Sequence, residues 1–238
     1  MTLFEATSGQ HGIWFTERAG VARTAYHMAL AVRLVGELDL AALTRACEAV
    51  IGRHEPLRTA LTEVDGTLCA VPAAEVPPVR QVSYHPDLVR DEVTRPFDLE
   101  RGPLARFVIA AESPERHLLL FVAHHLVFDG MSKDVLVREL ATAYAGAPLP
   151  PLATSYGEYA AAERDLLAAD LPAAREFWRD RWREPDEPVL PGLRRSPVAA
   201  EPGEVHEFSL DPGLTGGLAR TAEALGVTRF ELFLAALH

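Results

Sequence analysis

The chain has 238 residues, 48% of them hydrophobic and 24% charged, with a formal net charge of −11. That length can bury one large core or two small ones, and the acidic balance argues against nucleic acid or an anionic membrane as a partner. Cys47 and Cys69 make neither a metal spacing nor a disulfide framework, which fits a reducing cytoplasm; no signal peptide or bilayer-spanning run is legible.

Ser8 is placed to cap a first helix carrying Ile13, Trp14 and Phe15. Residues 28–35 alternate Met28, Leu30, Val32 and Leu34 on one face and read as a strand. Asp39 then caps a helix whose apolar face is Leu43, Ala46, Cys47, Val50 and Ile51. By the helical period His54 shares that inward face, as a satisfied core histidine, and Cys47 there is inert packing. Residues 57–62 and 67–71 read as strands joined across Asp65-Gly66, a hairpin signal. A short helix over 88–95 is broken by Pro96, and 97–104 is a turn leading into a strand over 105–110.

Residues 118–123 are uniformly apolar without helical spacing, which predicts a strand buried on both faces. Residues 131–144 regain helical spacing and stop at Gly146 and Pro148. Tyr156, Tyr159, Ala160, Glu163 and Leu167 then share a helical face, and Asp170 is placed to cap a further helix bearing Phe177, Trp178 and Trp182. These three aromatics and Trp14 are expected in the core. Residues 184–203, rich in proline, glycine and charge, read as a linker; a strand over 204–210 and amphipathic helices over 214–225 and 229–237 follow.

Between the buried strand and its following helix lie His124, His125, Leu126, Val127, Phe128, Asp129 and Gly130. A strand end feeding a loop is where α/β folds place chemistry. Adjacent strand residues point to opposite faces, so one histidine faces a cleft and the other is packed for structure. The same opposition weighs against a metal site built from the two histidines and Asp129.

These seven residues match HHxxxDG, the core motif of nonribosomal peptide synthetase condensation domains. The chain resembles that family also at Ser8-Gly9-Gln10 through Trp14 (SxAQxxxW), at Arg53-His54-Glu55-Pro56-Leu57-Arg58-Thr59 (RHExLRTxF) and at Tyr156-Gly157-Glu158-Tyr159-Ala160 (YxDYAxW). Gly9, Ala60-Leu61 and Ala162 depart from those patterns. The resemblance implies an α/β fold, an α+β two-layer sandwich like one lobe of chloramphenicol acetyltransferase, half of a V-shaped pseudo-dimer. Residues 1–183 would be the N-terminal lobe, 184–203 the linker and 204–238 the first elements of a second lobe.

The implied reaction is amide formation between a carrier-bound acyl thioester donor and an aminoacyl acceptor. His125 would be base or amine positioner, and His124 structural. Gly130 would let a substrate arm approach the start of the helix, where amides favour negative charge. Asp129 would form a buried ion pair with Arg58, with Arg53 the second choice. No cofactor is expected on the domain itself; phosphopantetheine arms arrive on partner carrier proteins, and neighbouring synthetase domains are the other partners. Two alternatives stand beside this: a non-catalytic module that recruits carrier proteins, and an epimerisation or acyltransferase enzyme on the same fold. The later family motifs are absent, so the isolated chain is expected to be inactive and to cover its C-terminal apolar helices by forming a homodimer.

Overall fold

The computed structural model describes residues 3–20, 22, 24–184 and 207–237. The chain divides into two compact units, Met1–Glu201 and Pro202–His238. In the first, the elements run β1 (Phe4–Glu5), α1 (Ser8–Arg18), β2 (His27–Val35), α2 (Leu40–Arg53), a 3₁₀ turn (Glu55–Arg58), β3 (Thr59–Val64), β4 (Thr67–Pro72), β5 (Val79–Ser83), α3 (Leu88–Thr94), β6 (Ala105–Ser113), β7 (Arg116–His124), α4 (Gly130–Tyr144) and α5 (Tyr156–Arg181).

The apolar run is the interior strand β7. It sits in a four-stranded sheet of order β2-β7-β6-β5, antiparallel except where β5 runs parallel to β6. With a strand on each edge and helices on both faces, β7 has no polar side, which is why its sequence does not alternate. Leu119, Phe121 and Ala123 join Phe107 and Ile109 of β6 beneath α2 and α4. Leu118, Leu120 and Val122 join Val108 and Ala110 on the other face, against Leu88 of α3. There buried Arg106 donates to the carbonyls of Glu92 and Arg95 (2.6 Å each) and stacks on Phe97, 4.0 Å from the ring centre. Burial brings its pKa down to about 10.

A second, antiparallel sheet has the order β1-β4-β3. Its hairpin turns at Asp65 and Gly66, both at positive φ (51° and 80°), the conformation that favours such a pair at a two-residue turn. Leu61, Leu68, Leu104, Leu126 and Ala6 form a small core there, with Ile13 and Trp14 of α1 packed on it.

Several sequence expectations need correction. Thr7, not Ser8, caps α1: its hydroxyl accepts from Gln10 N while the Gln10 side chain accepts from Thr7 N. Leu57 lies in the 3₁₀ turn, so the strand starts at Thr59. No second helix begins at Asp170; α5 runs unbroken through it and through Pro172. The capping box at Ser155 starts that helix, and the alanines around Asp170 favour continuing it. Phe177, Trp178 and Trp182 are not core but exposed, at 48%, 57% and 64%. Cys47 is fully buried among apolar side chains, with its thiol pushed up to about 12 by burial.

The second unit contains α6 (Pro212–Leu225), capped by Asp211 and ended by Gly226 at φ 67°, and α7 (Arg229–Leu237). The expected linker falls almost entirely outside the described residues, as does the first half of the strand expected over 204–210; residues 207–210 form no strand. Among the described residues, no helix is long and apolar enough to cross a membrane.

Gly102 provides a test of the turn before β6. At φ 61° a Cβ there would lie 2.9 Å from the Ala73 Cβ and 3.2 Å from the Thr59 carbonyl oxygen. Gly102→Ala is expected to cost about 1–3 kcal/mol in urea unfolding. Gly130→Ala, with nothing within 4 Å of the new Cβ, is expected to be neutral or slightly stabilising. Equal effects would show that the turn is not constrained as described.

Candidate active site

The two histidines part company where β7 ends. His124, the last strand residue, is 1% exposed. Its Nδ1 accepts from Leu126 N–H (3.1 Å), so its proton is on Nε2, which donates to Glu17 Oε1 of α1 (3.1 Å). Burial, with lesser contributions from His27 and His125, lowers its pKa to about 4. His124 is therefore neutral at pH 7. Burial also raises the Glu17 carboxyl, against a smaller lowering effect of His27.

His125 begins the turn and is exposed. Its backbone N–H donates to the Tyr26 carbonyl (2.8 Å), and its Nδ1–H donates to the Phe128 carbonyl (2.9 Å). A carbonyl can only accept, so the neutral ring is held as the Nδ1–H tautomer, which leaves the lone pair on Nε2. The Tyr26 ring lies 6.1 Å from His124 and 6.3 Å from His125, centre to centre. Leu126 is buried and held at both backbone groups: N–H by His124, and C=O by Gln10 Nε2 (2.9 Å). Phe128 is buried against Phe121, ring centres 4.9 Å apart.

Asp129 forms no ion pair among the described residues, so the expected partnership with Arg58 or Arg53 is corrected. Its Oδ1 caps α4, accepting from Ser132 N (2.7 Å) and Ser132 Oγ (2.6 Å), and these bonds hold its carboxyl below the usual range. Arg58 Nε instead donates to the Ile51 carbonyl near the end of α2 (3.0 Å). Arg53 Nε donates to Glu139 Oε1 of α4 (3.1 Å), and His54 Nε2 approaches Glu139 Oε2 at 2.7 Å. His54 lies just past α2 in extended conformation, not on the helix face. The Arg53-His54 motif thus ties α2 to α4. Gly130 opens α4 with free space around its Cα, and the Asp129 carboxylate already occupies one amide of the first turn, that of Ser132.

The four motif stretches are thereby assigned: one carries the histidines, one clamps Leu126 through Gln10, one joins α2 to α4, and one starts α5. Sequence reasoning missed Glu17 and Tyr26. Gln10, Ile13, Trp14 and Glu17 are spaced i, i+3, i+4 and i+7, so two polar residues flank an inward apolar pair; that was the available signal. Tyr26 acts through its carbonyl, which leaves none. Among the described residues, no cluster of three metal-ligating side chains occurs.

A two-sheet α/β unit with a histidine on a strand-end turn defines the class, and likeness to known proteins gives the family. The condensation-domain family model matches residues 2–238: the chain belongs to the condensation-domain family. It is 35% identical over 251 residues to a probable non-canonical nonribosomal peptide synthetase of Salinispora arenicola, covering 96% of this chain and 3% of that protein. It is 32% identical over 231 residues to bacitracin synthase 2 of Bacillus licheniformis, covering 90% and 8%. Among solved structures, the X-domain from teicoplanin biosynthesis aligns with TM-score 0.80 at 31% identity, over 94% of this chain and 53% of that one. The condensation domain from monacolin K polyketide synthase aligns at 0.80 and 22% identity, over 100% and 59%; this match shows the chloramphenicol-acetyltransferase-like fold alone. The chain thus spans a small part of the synthetases and somewhat over half of the solved domains.

Two outcomes test this geometry. His124 is neutral when folded, while an unfolded histidine takes its proton near pH 6.5. Stability from this group is therefore lost as pH falls from 6.5 toward 4, by roughly 3 kcal/mol in all. The raised Glu17 carboxyl acts in the opposite sense at the acid end. Urea unfolding across this range is expected to show the acid loss in the wild type and not in His124→Asn; parallel curves would contradict a neutral His124. Second, Asp129→Asn keeps a capping oxygen and is expected to stay within about 0.5 kcal/mol of wild type. A loss of about 3–5 kcal/mol would restore the buried ion pair.

Proposed function

We propose that this chain supplies the histidine-bearing part of a condensation domain that forms an amide between two carrier-bound substrates. The observation that carries the reading is the His125 ring: on this exposed residue Nδ1 is tied to the Phe128 carbonyl, which leaves the lone pair on Nε2. Membership of the condensation-domain family supports it, since the general reaction of that family is peptide-bond formation.

The acceptor amine attacks the donor thioester carbonyl. A C–N bond forms, the C–S bond breaks, and the thiolate of the donor arm leaves. One proton must go from the attacking nitrogen to the departing sulfur, and Nε2 is the group assigned to take and return it. An α-amine has a pKa of about 7.7–8.0, so a reactive neutral fraction exists at pH 7 without forced deprotonation. The histidine is then asked to supply about 10²–10⁴-fold as base, with orientation of the amine contributing more. The phosphopantetheine arms belong to the substrates; carrier proteins and neighbouring synthetase domains are the partners this implies.

The test offers loaded donor and acceptor carrier proteins to the natural polypeptide bearing this segment, with amide product read by mass spectrometry. His125→Ala is expected to lower product formation about 10²-fold or more with an unchanged unfolding midpoint. A wild-type rate in that variant would remove His125 from the reaction.

A further inference from the structure

The peptide groups around His125 are fixed one by one. Its own N–H goes to the Tyr26 carbonyl, the next N–H to His124 Nδ1, and the Leu126 carbonyl to Gln10. The middle link depends on a tautomer. His124 Nδ1 accepts from Leu126 N–H only while its proton sits on Nε2. With the proton on Nδ1, two donors would face each other at 3.1 Å, and the peptide between His125 and Leu126 would have to turn.

Glu17 makes that choice. Its Oε1, 3.1 Å from His124 Nε2, is the acceptor that keeps the proton there. Both side chains are largely buried, at 1% and 15% exposed, so water is a poor substitute. Glu17 sits in the last turn of α1, whose other end carries Gln10; the helix thus grips the turn from both sides of the Ile13–Trp14 pair.

We propose that Glu17 is a positioning residue for the reaction at His125, acting through the tautomer of His124 and the Leu126 amide. The inference rests on the reaction assigned above to His125, but its primary readout does not.

The tautomers are read by ¹⁵N NMR of histidine side chains in the 238-residue chain. In the wild type His124 is expected as Nε2–H and His125 as Nδ1–H. Glu17→Gln keeps a carbonyl acceptor and should preserve both. Glu17→Leu removes the acceptor and should convert His124 to a mixture and release His125 from its Nδ1–H form. In the intact synthetase with loaded carriers, Glu17→Leu should lower kcat about 10²-fold, the cost of misplacing a reacting group by about 1 Å, while KM stays near the wild-type value. Glu17→Gln should recover most of that loss. A wild-type His124 protonated on Nδ1 would overturn the proposal. So would a folded Glu17→Leu protein with both tautomers unchanged, or a Glu17→Gln protein as slow as Glu17→Leu. Should Glu17→Leu fail to fold, the wild-type tautomers and the rate of Glu17→Gln still decide. An active His125→Ala protein would overturn the reaction assignment while leaving the tautomer result standing.

Discussion

The hydrogen bond from His125 Nδ1–H to the Phe128 carbonyl, 2.9 Å long, is the constraint on which the site depends. Without it an exposed imidazole exchanges its proton between nitrogens and turns about its side-chain torsions. With it, one nitrogen is committed to the protein and the other is left as a lone pair in a fixed place. The carbonyl is itself fixed because the Phe128 ring is buried against Phe121. Burying a phenylalanine is worth about 1.5–3 kcal/mol. That exceeds the roughly 1 kcal/mol net of one hydrogen bond, so packing sets the turn and the bond follows.

The same logic runs outward. Phe121 is buried because β7 has a strand on either edge and helices over both faces. Two of those helices are joined where Glu139 of α4 meets Arg53 and His54 at the end of α2. On the far side of the turn, Leu126 enters the small core shared with β3, β4 and α1. The loop is therefore pinned into two cores, one through Phe128 and one through Leu126. His125 is displayed between them. This places the histidine on a loop that is anchored at both ends.

Much of this is legible in the sequence, because the deciding signals are local. An unbroken apolar run marks β7, the spacing of Leu43 to Ile51 marks α2, and Asp65-Gly66 marks the hairpin. Strand alternation predicts different surroundings for His124 and His125; one is buried and the other exposed, although β7 ends at His124 and His125 already belongs to the turn. What stays hidden depends on partners distant in sequence. Nothing near Trp178 says whether another surface covers it, so an apolar residue reads as core and yet is exposed. Asp170 and Pro172 look like a helix start, yet α5 passes through them. The family resemblance points Asp129 to an arginine, whereas the structure shows it capping α4 through Ser132, three residues on. Glu17 lies 107 residues from His124, and only its helical register with Gln10 hints that it faces inward.

In the proposed reaction Nε2 of His125 is the working atom and Nδ1 the anchoring one. Site-specific replacement of His125 by histidine methylated on one or the other nitrogen separates the two roles. Amide formation from loaded carrier proteins would be timed under single-turnover conditions. Methylation at Nε2 blocks the lone pair while leaving the Phe128 bond intact, and is expected to abolish turnover with normal folding. Methylation at Nδ1 breaks the anchor but leaves Nε2 free, and is expected to retain slow turnover. An Nε2-methylated protein that forms amide at the wild-type rate would rule out Nε2 as the working atom.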